Sequence, residues 1–194
     1  MDNIPDWLNS TLASDATGGS GVLPLWIKSL KQDTRVIGPA FIALTGENDN
    51  LVVREAIQAS PPPGSIMVIA GASTSRTAMI GELLALEMHN AGIIAFVTDG
   101  LVRDSREIRQ MQHFCVWCRG VTPSSSGKSG PAVIGKPVTI GGVLIRNNDL
   151  VIADDDGVVI WPWEHIDTLL AKAEEKFKQD NERLEKLQQQ AQGK

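Results

Sequence analysis

Cysteine is scarce in this sequence, and long hydrophobic runs are missing from it. The two cysteines, Cys115 and Cys118, are too few for a disulfide scaffold and indicate a reducing compartment. No apolar run approaches the roughly 20 residues that a membrane-spanning helix needs. The first ten residues lack the basic and apolar regions of a signal peptide. We therefore expect a cytoplasmic protein that does not enter a membrane.

Positive charge is also in deficit. The sequence contains 18 Lys and Arg residues against 23 Asp and Glu, which gives a net charge of −5, so we expect no nucleic-acid-binding surface. Its 42% hydrophobic and 21% charged residues are typical of a globular chain rather than a disordered one. Because 194 residues suit one well-packed domain and are too few for two ordinary ones, we predict a single domain over 1–194.

The first part of the sequence alternates between helical and strand patterns. Helices are predicted over 4–14, 51–59, 78–90 and 105–111, and strands over 35–44, 65–70 and 93–97. Gly38-Pro39 inside the first strand predicts a bulge or an edge position. The apolar face of the third helix would consist of Ile80, Leu83, Leu84 and Met88, with Gly92 capping its C-terminus. The alternation predicts an α/β unit with parallel strands.

From Phe114 onwards the sequence is mostly β, until a long charged helix over about 162–190. An apolar stripe recurs along that helix at spacings of three and four: Ile166, Leu169, Leu170, Ala173, Phe177, Leu184 and Leu187. A compact domain of this size cannot cover so long a stripe. We therefore predict that the helix packs on a neighbouring subunit.

Arg103-Asp104 lies between a predicted buried strand and a helix N-terminus. Ligands bind at this carboxyl end of the strands in open α/β sheets. An arginine there can bind a carboxylate through two hydrogen bonds, and an adjacent aspartate can hold a hard cation. The spacing alone favours a plainer role, in which Asp104 caps the helix and Arg103 forms a surface pair, because Asp is a common cap residue.

Gly81-Glu82-Leu83-Leu84 permits two interpretations. A glycine inside a helix costs about 1 kcal/mol relative to alanine, which suggests that the helix starts near Leu83. The free backbone N–H groups of its first turn would then be available to an anion. Alternatively, the helix tolerates one glycine for close packing.

Two other motifs favour structural roles. Asp154-Asp155-Asp156-Gly157 flanks a predicted hairpin turn and lacks a glutamate at calcium-loop spacing, so turn chemistry is favoured over a metal site. Cys115 and Cys118 would point to opposite faces of a strand, which disfavours a zinc or redox site.

An ordered series of motifs over about residues 35–162 resembles a known family. The series comprises Gly81-Glu82-Leu83-Leu84, Ala91-Gly92, Asp99-Gly100-x-x-Arg103-Asp104, Arg119-Gly120-Val121-Thr122-Pro123, Pro137-Val138, Gly141-Gly142-Val143 and the segment 149–159. It resembles the 4-hydroxy-4-methyl-2-oxoglutarate aldolases and their relatives, which are similar to the regulator of ribonuclease activity A (RraA-like). The resemblance implies an α/β/β/α domain with a mixed sheet, assembled as a homotrimer or hexamer with active sites between subunits.

The resemblance also implies a reaction and a cofactor. Family members perform class II aldol cleavage of 2-oxo acids to pyruvate, commonly with oxaloacetate decarboxylation as a second activity. Both reactions leave a pyruvate enolate, so the site must place a cation and a fixed positive group near the developing charge. The expected cofactor is Mg²⁺ or Mn²⁺.

Carried onto this sequence, the family's functional residues imply the following roles. Asp104 would ligate the metal, and Arg103 would bind the carboxylate and enolate oxygens. The turn at Gly81 would present the N–H groups of Leu83 and Leu84 to the pyruvyl carboxylate. Glu82, where the family usually has Asp, would orient metal-bound water. Two acids from a neighbouring subunit would complete the proton-transfer site, and Asp15 and Asp180 are the candidates.

Two competing functions remain at this point. The first is a non-catalytic RraA-like regulator that inhibits a ribonuclease through protein contacts. Those relatives generally lack the acidic residue after the arginine, so Asp104 favours the enzyme. The second is an enzyme of the same fold that acts on a different 2-oxo acid, with Arg76 and the loop 71–77 selecting the substrate.

Overall fold

A computed structural model describes residues 4–192 of the chain. Its helices are α1 (Ser10–Thr17), α2 (Leu51–Gln58), α3 (Glu82–Asn90), α4 (Ser105–Gln110) and α5 (Ile166–Gln192), with a 3-10 turn at Trp163–His165 before α5. Its strands are β1 (Lys28–Ser29), β2 (Arg35–Thr45), β3 (Ile66–Ala70), β4 (Ala78–Ile80), β5 (Ala95–Thr98), β6 (Leu101–Val102), β7 (Cys115–Cys118), β8 (Gly120–Val121), β9 (Ala132–Ile134), β10 (Val138–Ile140), β11 (Val143–Ile145), β12 (Leu150–Asp154) and β13 (Val158–Trp161).

The main sheet is mixed. Its strands are ordered β1-β7-β5-β3-β2-β12-β13, and β9 pairs with the end of β2. The four strands β7, β5, β3 and β2 are parallel, and the outer strands pair antiparallel. The predicted α/β unit with parallel strands is therefore confirmed. Parallel strands need crossover connections, which α2, α3 and α4 provide.

The sheet curls so that its β12–β13 end faces its own centre. Val151 and Ile160 share a core with Val68 and Ile42, and the β10–β11 hairpin closes this core. Alternate residues such as Ile152 point the other way, onto α1 and α5. Helices α2 to α4 cover the opposite face of the parallel strands. The layers are thus α/β/β/α, as the resemblance implied.

A second, smaller sheet consists of the parallel strands β4, β6 and β8. The predicted helix over 78–90 is wrong in its first residues, because Ala78–Ile80 pairs with β6 as a strand. Helix α3 begins only at Glu82, after Gly81. Leu83, predicted on the buried face, is 72% exposed. Gly92 follows the helix in a left-handed conformation (φ 83°), as predicted for a C-terminal cap.

One further prediction needs correction. The first helix covers Ser10–Thr17 instead of 4–14, because Asn9 caps it by accepting a hydrogen bond from the Leu12 N–H. Gly38-Pro39 is not a bulge, since both residues pair in register with β12, but it is an edge position on its other side, where pairing with β3 begins only at Ala40. Glycine at position 38 is also favoured by space, because a Cβ there would lie 2.6 Å from the Gly64 carbonyl oxygen.

The apolar stripe of helix α5 is buried in its first half and exposed in its second. Leu169 and Ala173 are buried against α1 and β13, and the Phe177 ring stacks on Trp7 with centroids 4.9 Å apart. Leu184 and Leu187, further along, are each 52% exposed. The first half of the stripe is therefore covered by the same chain, and packing of the second half on a neighbouring subunit stays a prediction. Between residues 4 and 192, no helix is both long and apolar enough to cross a membrane.

This division predicts different effects for two substitutions on the same helix. Phe177→Ala removes the stack on Trp7 and should lower the free energy of unfolding by about 2 kcal/mol. Leu187→Ala should change it by less than about 0.5 kcal/mol in dilute protein. Urea denaturation followed by circular dichroism measures both. Equal losses of stability for the two variants in dilute protein would contradict this division of the stripe. A loss of stability for Leu187→Ala that appears only at high protein concentration would indicate that a second copy packs on the end of α5.

Candidate active site

Two strand ends of the small sheet meet at Gly81. Strand β4 ends there, and β6 leads into Arg103, whose N–H donates to the Ile80 carbonyl oxygen at 2.9 Å. Asp104 has a left-handed backbone (φ 52°), and its carboxylate Oδ2 accepts the Glu82 N–H at 3.0 Å. The Arg103 Nε lies 3.6 Å from the same oxygen. The sequence-predicted pair and the Gly81 turn therefore form one site.

The position of the Asp104 carboxylate requires glycine at residue 81. Its φ of −129° is ordinary for any residue. A Cβ there would overlap the Asp104 carboxylate and would lie 2.9 Å from the Arg103 Nε. Gly81 therefore precedes α3 as its N-cap and lets Asp104 approach the backbone of the first turn.

The plainer role of Arg103-Asp104 fits the structure in part, since Arg103 does form a surface pair, with Asp104 itself. Asp104 occupies the N-cap position of α4, but its side chain makes no capping hydrogen bond to that helix. It binds the first N–H of α3 instead. Arg103 lies beside Asp104 at 3.6 Å, with both side chains 42% exposed. The pair is open to solvent and available to a ligand.

The first turn of α3 leaves backbone donors free. The Glu82 N–H is used by Asp104, and the Ala85 N–H donates to the Gly81 carbonyl oxygen. Within residues 4–192 no protein acceptor meets the N–H groups of Leu83 or Leu84. Free N–H groups at a helix N-terminus attract anions, because the helix dipole adds to their partial positive charge.

A cavity of about 320 Å³ opens in front of this turn. Its charged lining consists of Arg54, Arg103 and Lys128 against the single carboxylate of Asp104, a net charge of +2. Its other lining residues are Asn50, Leu51, Ala78, Ile80, Gly81, Leu83, Leu84, Ser125 and Ser126. The sequence interpretation missed Arg54, Lys128, Asn50 and the two serines. Their signal was weak, since only Asn50, in the loop between β2 and α2, lies at an end of a parallel strand, where ligands bind.

Asp49 ties together the two segments that carry Arg54 and Lys128. It is buried, and its carboxylate accepts the N–H of Leu51 at 2.9 Å and that of Ser129 at 2.7 Å. Burial raises the pKa of Asp49, but hydrogen bonds from Ser129, Leu51 and Gly130 outweigh it and lower the pKa below the ordinary value. One carboxylate therefore fixes the start of α2 and the loop that bears Lys128.

The donor set fits a hard divalent cation. Among residues 4–192, Asp104 is the only carboxylate that lines the cavity, and it is half exposed. No group of three His, Cys, Asp or Glu side chains able to hold a metal occurs in the described part of the chain. Mg²⁺ is commonly held by one or two carboxylates, with water and substrate oxygens completing its octahedron. The Glu82 side chain is exposed and does not line the cavity.

The two acids predicted to complete the site lie elsewhere in this chain. Asp15 is exposed on α1, and Asp180 is exposed on α5, where its Oδ1 accepts from the Lys176 Nζ at 2.9 Å. The hydrogen bond from Lys176 to Asp180, aided by the charge of Asp15, raises the pKa of Lys176. Neither acid lines the cavity with Asp104. Their predicted contribution from a neighbouring subunit stays a prediction.

The loop 71–77 is fixed by its neighbours. The Asp99 carboxylate accepts the N–H groups of Gly71 at 3.1 Å and Ala72 at 2.8 Å. Burial raises the pKa of Asp99, although these bonds oppose the rise. The Arg119 Nη2 donates to the Ser75 carbonyl oxygen at 2.5 Å. Arg76, the predicted substrate selector, is exposed and does not line the cavity.

The two motifs interpreted as structural have structural roles. Asp154 accepts the Ser10 N–H at 2.7 Å, and Asp155 accepts the Asp33 N–H at 2.8 Å, so these carboxylates bind backbone around the hairpin turn. Cys115 and Cys118 lie in cores on opposite faces of the main sheet. Burial raises the pKa of Cys118 to about 11, which makes it unreactive at neutral pH.

Together, the fold and the cavity define an α/β protein with a positively charged cavity at the ends of its parallel strands. The family described as RraA-like, Aldolase/RraA, matches residues 8–160. A protein from Halalkalibacterium halodurans named "Putative 4-hydroxy-4-methyl-2-oxoglutarate aldolase" is 35% identical over 174 residues, which cover 90% of this chain and 82% of that protein.

Solved structures agree with this match. The structure titled as the RNA-processing inhibitor RraA from Thermus thermophilis is 27% identical, with a TM-score of 0.72 over 80% of this chain and 93% of its own. An uncharacterized protein from Pseudomonas syringae pv. tomato shares the fold, with a TM-score of 0.82 at 23% identity over 95% of this chain and 86% of its own. The chain belongs to the RraA-like aldolase/RraA family.

The role given to Asp49 predicts a pH-dependent effect of Asp49→Asn. Because the pKa of Asp49 is lowered on folding, its contribution is complete above the ordinary value of 3.8 and is lost as pH falls through the folded-state pKa. The variant should be less stable than the wild type by about 1–3 kcal/mol at pH 7. The difference should shrink below about pH 4.

Denaturant unfolding between pH 3 and pH 8 measures this difference. Asp6→Asn, at an exposed aspartate, is the matched control and should stay within about 0.5 kcal/mol of the wild type at pH 7. A difference for Asp49→Asn that is constant down to pH 3 would contradict the assigned role.

Proposed function

We propose that this protein is a divalent-metal-dependent carbon–carbon lyase that releases pyruvate from 2-oxo acids. Its reactions would be class II aldol cleavage of 4-hydroxy-4-methyl-2-oxoglutarate-type substrates and decarboxylation of oxaloacetate, with Mg²⁺ or Mn²⁺ as cofactor. The observation that carries the proposal is the grouping of Asp104, Arg103 and the free N–H groups of α3 in one cavity. The name of the Halalkalibacterium halodurans relative supports it.

The substrate carboxylate next to the 2-oxo group binds at the start of α3. The N–H groups of Leu83 and Leu84 would donate to it, and the helix dipole favours its negative charge. Arg103, beside that turn, would donate to the carboxylate and to the 2-oxo oxygen. These contacts orient the scissile C–C bond relative to fixed positive groups.

Both reactions move an electron pair from the breaking C–C bond towards the 2-oxo oxygen. A Mg²⁺ or Mn²⁺ ion held by Asp104 would supply Lewis-acid polarisation of that oxygen. The Arg103 guanidinium would stabilise the same developing charge from its side of the cavity, and the hydrogen bond from its backbone to Ile80 fixes the point from which the side chain extends. Oxaloacetate then loses carbon dioxide, whereas the aldol substrate loses its carbonyl fragment.

Aldol cleavage needs a base that takes the proton of the 4-hydroxyl group, and both reactions need an acid that protonates the carbon of the pyruvate enolate. The described residues that line the cavity of one chain supply neither group. We propose that Asp15 and Asp180 of a neighbouring subunit supply them in a homotrimer or hexamer. The half-exposed Leu184 and Leu187 of α5 support such packing, because an uncovered apolar segment beside Asp180 suits a subunit contact. Glu82, at the edge of the site, would orient water.

A second candidate is a non-catalytic regulator that binds a ribonuclease. One observation favours it, namely the likeness to the structure titled as an RNA-processing inhibitor RraA. Such a role needs no carboxylate beside the free N–H groups of α3. The Asp104 carboxylate in the cavity therefore favours the lyase.

Pyruvate release from oxaloacetate tests the proposal. The wild type with Mg²⁺ should release pyruvate well above an enzyme-free blank with the same metal, and EDTA should abolish the excess. Asp104→Ala should lower kcat/KM at least about 100-fold, because it removes the only carboxylate in the cavity. Asp167→Ala, at an exposed aspartate of α5, is the control and should keep the wild-type rate.

Two results would contradict the lyase. One is turnover that EDTA does not reduce, and the other is no turnover above the blank. The second result, combined with inhibition of a ribonuclease by the purified protein, would establish the regulator instead.

A further inference from the structure

We propose that Arg54 is a specificity-determining residue that binds a second, distal carboxylate of the substrate. The inference rests on the proposed function, since it assumes that a 2-oxo acid occupies the cavity. It goes further by assigning a residue that neither the sequence motifs nor the family resemblance indicated. The proposed substrates carry two carboxylates, and the inference names the residue that would bind the second one.

The charges of the cavity are distributed over two walls. Arg103, Asp104 and the first turn of α3 form one wall, and they account for the carboxylate next to the 2-oxo group. Arg54 on α2 and Lys128 on the loop after β8 contribute positive charge from other segments. The only carboxylate of the cavity, Asp104, is already bonded to the Glu82 N–H. Arg54 and Lys128 are therefore positive charges that the first carboxylate does not use, and a second carboxylate at the far end of the substrate would match them.

Arg54 is free to bind such a group. Its one acidic neighbour, Glu87 on α3, lies 3.8 Å away, beyond hydrogen-bond distance, and both side chains are about half exposed. Exposed pairs of this kind contribute little free energy. A substrate carboxylate could accept two parallel hydrogen bonds from the guanidinium, which is the stronger arrangement. The free energy lost when the Arg54 guanidinium moves away from Glu87 is therefore small.

The backbone of Arg54 is held in place. Its neighbours Val52, Val53 and Ala56 are buried in the core. The Asp49 carboxylate fixes the first N–H of α2. The helix face that carries Arg54 therefore cannot turn away from the cavity, and only the side chain has to move.

Isothermal titration calorimetry with two unreactive ligands tests the inference. With Mg²⁺ present, we compare 2-oxoglutarate, a 2-oxo dicarboxylate without the hydroxyl needed for aldol cleavage, with pyruvate, a 2-oxo monocarboxylate. The wild type should bind 2-oxoglutarate about tenfold more tightly than pyruvate. Arg54→Gln should lower the affinity for 2-oxoglutarate about tenfold and leave the affinity for pyruvate unchanged, because only the contact with the distal carboxylate is lost. Arg54→Lys, which keeps the positive charge, should bind 2-oxoglutarate more tightly than Arg54→Gln but less tightly than the wild type.

Two further variants sharpen the test. Glu87→Gln removes the carboxylate that competes for Arg54. It should raise the affinity for 2-oxoglutarate about twofold and leave the affinity for pyruvate unchanged. Arg146→Gln, at an exposed arginine that does not line the cavity, should change neither ligand.

The inference is overturned if Arg54→Gln weakens both ligands equally, if it weakens neither, or if the wild type binds neither ligand. Because the readout is binding, failure of the proposed reaction is recognised separately. A wild type that shows the expected binding but releases no pyruvate from oxaloacetate would overturn the lyase and retain the role of Arg54.

Discussion

The close approach of Asp104 to the backbone at Gly81 is the constraint on which the site depends. The carboxylate can reach the Glu82 N–H only because residue 81 has no Cβ. That contact fixes the end of β6 against the start of α3, and it brings Arg103 to the same place. A half-exposed acid, a half-exposed cation and two free helix N–H groups thus share one small volume. Such a grouping suits a ligand that is both an anion and a metal chelator, as a 2-oxo acid is.

The rest of the fold supplies the supports for this contact. The small parallel sheet of β4, β6 and β8 holds both strand ends in register. The main sheet delivers α2 from the end of β2, and Asp49 binds the start of that helix to the loop that carries Lys128. The positive wall of the cavity is therefore built from segments about 75 residues apart in sequence, joined by one buried carboxylate.

The sequence predicts the parts of the site that are local, and it misses the parts that depend on tertiary contacts. Arg103-Asp104 and Gly81 could be found because each lies in a short contiguous motif. Ala78–Ile80 was mistaken for helix because its apolar residues continue the periodicity of α3, whereas pairing with β6, a non-local contact, makes it a strand. Arg54 belongs to no motif of the sequence. Only the packing of α2 beside α3 brings it to the cavity.

The most direct measurement of the central contact is manganese binding by Gly81→Ala, followed by electron paramagnetic resonance alongside pyruvate release. The added methyl group overlaps the Asp104 carboxylate, while the backbone at this position suits alanine. We expect far-UV circular dichroism to be unchanged, Mn²⁺ affinity to fall at least about tenfold and turnover at least about 100-fold. Gly120→Ala, where a Cβ has ordinary van der Waals room, should retain both. Wild-type metal binding and turnover in Gly81→Ala would contradict the account.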